Sequence, residues 1–212
     1  MMRWILCGLL CIRSLAFAAD AAVPGCDRLT LVLDPHLTSA VVEQRWASGE
    51  SSSEAPANLE LRGCKDELLD RLPLDAPLAR LDHVPLRGTP VRTYLVTVDL
   101  TAPAGSYSGP LTIPVQVENH KLKRAEASTP DRRLEPINLA LTGKAAWKKV
   151  ANGTTDDLLS VSCQPQGDGF LTTFRRYHPT PQGWLVRMRS DPILWESDGE
   201  FPKAGRFPGI TK

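Results

Sequence analysis

The chain has almost no net charge: 25 lysines and arginines face 24 aspartates and glutamates over 212 residues. So even a balance offers no general electrostatic attraction to nucleic acid or to an anionic membrane surface. Helix-length apolar periodicity is scarce, and after residue 18 no apolar run approaches the roughly 20 residues that cross a bilayer. Cysteine is scarce too, with five in all. None of the three beyond the leader is spaced from another as zinc ligands are. None adjoins a histidine or basic cluster that would lower a thiol pKa. Gly-rich phosphate loops are missing. The acid clusters Asp156-Asp157 and Glu196/Asp198/Glu200 follow no calcium-loop pattern. His36, His83, His120 and His178 are scattered, without His-x-His or His-x-x-x-His spacing. In Gly105-Ser106-Tyr107-Ser108-Gly109 a tyrosine, not a serine, holds the centre, and strands flank it where a hydrolase elbow needs a strand and a helix. These absences lead to an expectation of no catalysis, no cofactor, no metal and no nucleic-acid partner.

What is present begins with "MMRWILCGLLCIRSLAFAAD". Arg3, a short apolar core from Trp4 to Ile12, and the small residues of Ala16-Phe17-Ala18 read as a secretory signal peptide over residues 1–18. Its removal takes Arg3 and Arg13 and leaves 23 bases against 24 acids, a formal charge of −1. The expected location is periplasmic or extracellular, with no integral membrane segment after cleavage. In that oxidising setting Cys26, Cys64 and Cys163 imply one disulfide and one leftover thiol. Cys26 and Cys64 share one half of the chain and are the favoured pair; Cys26–Cys163 and Cys64–Cys163 are the alternatives.

Eighteen prolines and fifteen glycines break the chain into short segments, many of period two. "RLTLVLDP" alternates Leu29, Leu31 and Leu33 against Thr30, Val32 and Asp34. "SAVVEQRW" (39–46) fits a helical turn or a strand, and "ASGESSSEAPAN" (47–58) an exposed loop. "ANLELRGC" puts Leu59 and Leu61 on one face. "KDELLDRL" (65–72) has helical spacing stopped by Pro73. "VRTYLVTVDLTAP" is the strongest strand, with Tyr94, Val96, Val98 and Leu100 on one face and Thr93, Leu95, Thr97 and Asp99 on the other. "YSGPLTIPVQVEN" returns as its hairpin partner, with Tyr107 packing at the sandwich end and Pro110 and Pro114 indicating a free edge or bulge. Residues 120–136 are charged and aperiodic, and read as a linker. Beyond it, "INLALTG" is a strand, "KAAWKKVANG" a short helix closed by Asn152-Gly153 (equally a hairpin turn), and "DLLSVSCQP", "GFLTTFRRY" and "GWLVRMRS" are strands.

For the last hairpin, pairing Phe174 with Met188 and Arg176 with Val186 is the register that the side-chain pattern favours. Phe170, Phe174, Trp184, Val186 and Met188 then share one face, and Arg175, Arg187 and Arg189 the other. That arginine stripe is the candidate partner-binding surface, suited to an acidic protein.

"YLVTVDLTAPAGSYSGPLTIPVQVEN" resembles the closing hairpin of secreted bacterial β-sandwich domains of the fimbrial-subunit, pilin type. Such domains also carry one cysteine near the mature N-terminus and a second further on, as Cys26 and Cys64 stand here. The resemblance implies a local sandwich and assigns no functional residue. The chain departs from a simple pilin in the residues 120–212 that follow the hairpin.

The expected fold class is mainly β. An immunoglobulin-like antiparallel β-sandwich (19–119) precedes a small antiparallel β module (137–195) and a C-terminal coil (196–212). The expected function is non-catalytic contact with another envelope or secreted protein, as a surface or pilus-type assembly component. An inhibitor or immunity-type protein that binds a toxin or hydrolase is the alternative. A hydrolase with Asp82, His83 and His178 assembled in space is a third.

Overall fold

The computed structural model describes residues 20–22, 25–38, 41, 55–98, 106–197, 201–202 and 206–207. The leader, the segment "SAVVEQRW" apart from Val41, and most of the loop at 47–58 lie outside these residues. Strands β1 (Asp20–Ala22), β2 (Arg28–Val32), β3 (Asn58–Arg62) and β4 (Leu68–Pro73) form the first sheet, in that order. The second contains β5 (Ala79–Leu81), β6 (Arg92–Val98), β7 (Leu111–Glu118) and β8 (Lys121–Arg124). Next come β9 (Glu126–Ser128) and β10 (Leu134–Pro136), which belong to the third sheet, and β11 (Leu139–Ala140), which returns to the second. The third is completed by β12 (Ala145–Asn152), β13 (Thr155–Gln166), β14 (Gly169–Thr180) and β15 (Gly183–Asp191). Among the described residues all strand pairings are antiparallel except the short one between β15 and β9.

Period two decides how the sheets stack. On one face of β6 and β7, Tyr94, Val96, Val98, Ile113 and Val115 meet Leu29, Leu31, Leu59 and Leu61 of the first sheet in one core. This is the expected sandwich. Each of those side chains contributes about 1.5–3 kcal/mol when removed from water. On the opposite face Leu95 joins Leu139, Leu158, Tyr177, Trp184 and Val186 in a second core, beneath the third sheet. The far face of that third sheet carries Leu159, Val161 and Phe174, covered by Phe207 with Phe201 and Trp195 beside it. Phe207 meets Phe174 edge-on at 5.5 Å and stacks on Phe201 at 5.2 Å. Part of the C-terminal segment expected as coil is thus docked on the sheet.

Several expectations are corrected. Leu68–Pro73 is strand β4, paired along β3. A tight turn precedes it, with Gly63 N–H donating to Glu67 O at 2.9 Å and Asp66 at φ 67°. Six residues are too few to hold a helix unaided, so sheet pairing prevails over helical spacing. Ala145–Asn152 is likewise a strand, paired residue for residue with β13. A hairpin does follow, but its two-residue loop is Gly153-Thr154, one residue beyond the expected Asn152-Gly153, with Gly153 at φ 60° as a type II′ turn requires.

Pro110 and Pro114 do not mark a free edge. β7 has β6 on one side; on the other it has β11 at Leu111–Thr112 and β8 at Val115–Glu118. Pro114 sits where those two partners change over, and its carbonyl accepts from Ala125 N–H at 2.8 Å. Tyr107 is 46% exposed and lies outside β7, so it packs no sandwich end. Gly109, in the same loop, is required: a Cβ there would stand 2.2 Å from the Leu141 carbonyl oxygen. Residues 120–136 are not a free linker. β8 pairs with β7, β9 pairs with β15, and Ala125 and Ala127 are buried in the second core.

Cys26 and Cys64 form the disulfide, and Cys163 is a free, buried thiol. The bridge ties residue 26, just before β2, to the β3–β4 turn across a separation of 38 residues. Closing a loop of that length constrains the unfolded chain by roughly 4 kcal/mol in the chain-entropy account. Replacing both cysteines by serine should therefore lower unfolding stability by about 2–4 kcal/mol in urea titrations. Replacing Cys163 by serine leaves this term intact.

Candidate functional site

The β14–β15 hairpin differs from its expected register by one residue. Phe174 stands opposite Arg189, Arg175 opposite Met188, and Arg176 opposite Arg187. The cause is the turn: Thr180 pairs with Gly183 across a two-residue loop, Pro181-Gln182. Loop length fixes register, and a one-residue slip changes which side chains share a face. Arg187 and Arg189 therefore lie on the face of Phe174, while Arg175 lies with Met188 and Val186 on the other. The three arginines do not form one stripe.

Local partners make this register tolerable. Arg175 Nη1 donates to Ser162 Oγ at 3.0 Å. Arg176 Nε donates to Asp157 Oδ2 at 2.7 Å, which offsets its repulsion with Arg187. Arg189 Nε donates to Asp191 Oδ1 at 3.0 Å. Asp157 is 3% exposed, and its other oxygen bonds His178 Nδ1 at 2.7 Å, with Asn152 Nδ2 donating at 3.3 Å. Its neighbour Asp156 faces the opposite way, as alternation requires. It accepts from Arg87 Nε at 3.0 Å, Nη2 at 2.7 Å and the Arg87 backbone N–H at 3.0 Å. Asp156 N–H returns a bond to Arg87 O at 3.0 Å. Gly88 lies so close to Thr155 that a Cβ would stand 2.5 Å from its Cγ2.

The outer edge of β15 is the notable surface. β9 covers only Trp184 and Leu185. Among the described residues, no strand pairs with the edge from Val186 to Asp191. Thr180 and Gly183 close a two-residue hairpin as a hydrogen-bonded pair, so bonding toward β14 alternates from there. Val186, Met188 and Ser190 consequently turn their N–H and C=O groups outward. Arg187, Met188 and Arg189 are exposed along this edge, and Leu185, Ile193 and Leu194 add exposed apolar surface.

Asp82 and His83, the third group of sequence candidates, lie elsewhere. They stand on the rim of a cleft of about 430 Å³ between the second and third sheets, and His178 is not among its lining residues. The Asp157–Arg176–His178 cluster and the Arg87–Asp156 joint were not anticipated. Their one visible signal is the pair Asp156-Asp157 at the start of a strand, where neighbouring acids must point to opposite faces.

The Arg87–Asp156 joint predicts an acid dependence. Hydrogen bonds from the Arg87 side chain, the largest influence, outweigh the opposing effect of burial. With the Arg87 backbone N–H and charge, they hold Asp156 below the ordinary 3.8. Glu60 is also held low. Burial alone would raise it, but hydrogen bonds and charge from Arg62 and Arg71 prevail. A lowered carboxyl stabilises the fold fully above its unfolded value, and the contribution is lost as pH falls through the folded value. Urea midpoints should drop steeply below about pH 4. Asp156→Asn should show a lower midpoint at pH 7 and a shallower drop in acid. Comparison of the chain with protein-family models, curated proteins and solved structures finds no match, so the functional reading rests on the chain's own geometry.

Proposed function

We propose that this is an exported envelope protein that acts by binding another protein, and that the partner docks on the open edge of β15. The observation that carries this reading is the edge from Val186 to Asp191, which no strand among the described residues pairs and which exposed arginines border. An open edge presents backbone donors and acceptors in a row, which an extended segment can complete as an added strand. Arg187 and Arg189 are two residues apart and share a face, so acids at alternate positions of that segment would meet them. Met188, exposed on the other face, would meet an apolar position of that segment. The Cys26–Cys64 disulfide is compatible with an oxidising compartment. The signal-like leader supports export.

The test places a photocrosslinking residue at Met188 in the full-length protein expressed in its own envelope. Leu68, exposed on the first sheet, serves as the control position. The expected result is one discrete adduct from position 188, absent from position 68 and lost in Arg187→Glu/Arg189→Glu. Met188→Pro should abolish the interaction as well, because it deletes an outward N–H while leaving the β14 ladder intact. Identical adducts from both positions, or an adduct indifferent to charge reversal, would sink the reading.

A further inference from the structure

The cleft between the second and third sheets has a composition that protein contact through β15 does not use. Its floor is the third-sheet-facing side of β6 and β7, with Leu95, Thr97 and Thr112. Trp147 of β12 forms a wall, and Arg80, Asp82, His83 and Val84 line the mouth. The volume, about 430 Å³, is in the range of small-molecule sites.

Register places three donors in a row. Arg80 is opposite Thr97 across β5–β6, and Thr97 is opposite Thr112 across β6–β7, so all three point to one face. The two threonine hydroxyls bond each other at 2.8 Å. Each hydroxyl has one proton, and that bond uses only one of the two. Among the described residues neither hydroxyl has a further partner, so one O–H in the cleft is left to donate. Thr112 is only 3% exposed, which makes an acceptor for such a proton worth having. Among the described residues Arg80 has no ion pair, and it is exposed at the mouth. A cation beside a free hydroxyl donor, within reach of an indole wall and Leu95, matches a carboxylate joined to a flat apolar body. Asp82 is also at the mouth, where its Oδ1 accepts from Val84 N–H at 3.2 Å. Its charge disfavours a second anionic group on the ligand.

We infer that this cleft binds a small amphipathic monocarboxylate. The apolar ring lies against Trp147, and the carboxylate sits on Arg80 and the Thr97–Thr112 hydroxyls. Calorimetric titration of the full mature protein with indole-3-acetate tests this, with indole-3-acetamide, acetate and a ring-bearing dicarboxylate as comparison probes. The expected result is saturable binding of indole-3-acetate, at least tenfold tighter than that of the amide, acetate or dicarboxylate. Arg80→Gln, a change at an exposed position, should weaken it about tenfold, the scale of one charge-assisted hydrogen bond. Thr97→Val/Thr112→Val should weaken the acid more than the amide. No saturable binding of the acid, or equal binding by Arg80→Gln, would overturn the assignment. Arg80→Gln should leave the Met188 crosslinking result unchanged, so the two readings fail separately.

Discussion

The structure depends on one hairpin being buried on both faces. β6 alternates aromatic and aliphatic residues toward the first sheet with Leu95 and threonines toward the third. Tyr94, Val96 and Val98 are fully buried, as is Thr93 on the other face, and Leu95 beside it is nearly so. Such a strand cannot face water on either side. It needs the first sheet to cover one face and the third to cover the other, which makes the chain a stack of layers around β6 and β7. The Arg87–Asp156 joint reinforces this from the side, clamping the connection between β5 and β6 to the start of β13.

That arrangement also fixes where surfaces are left over. The third sheet covers the second incompletely, and the gap at the β5 edge becomes the cleft walled by Trp147. Thr97 and Thr112 stand beside Leu95 on the middle layer there, so the floor carries hydroxyls next to apolar surface. At the opposite side of the third sheet, β9 meets β15 over only Trp184 and Leu185, and among the described residues no strand pairs the remaining edge. A covered middle layer and an uncovered outer edge thus arise from the same stacking. The first yields a candidate small-molecule cleft, and the second a candidate protein-docking edge.

Much of this was legible in the residues. The mainly β class, the two-faced β6, its hairpin partner and the Cys26–Cys64 bridge all follow from period two, turn composition and cysteine position. The failures have a common origin in partners remote in sequence. Short segments such as Leu68–Pro73 and Ala145–Asn152 read locally as helix, but sheet pairing decides their state. Residues 120–136 look like a linker because β8, β9 and β10 are short and charged, with little period of their own. The arginines do not form a stripe because Pro181-Gln182 makes a two-residue loop, and one residue of register exchanges faces. The Asp157 cluster was hidden for the same reason, since Arg176 and His178 reach it only across the β13–β14 ladder.

The central claim is that β6 is one structural unit with both sheets that flank it. Native-state hydrogen exchange on Leu95→Ala tests it most directly, because Leu95 belongs to β6 yet faces the third sheet. The account predicts a loss of about 2–5 kcal/mol in opening free energy, shared by amides of β3, β6 and β14. A loss confined to one side of β6, with the other sheet's protection unchanged, would contradict it.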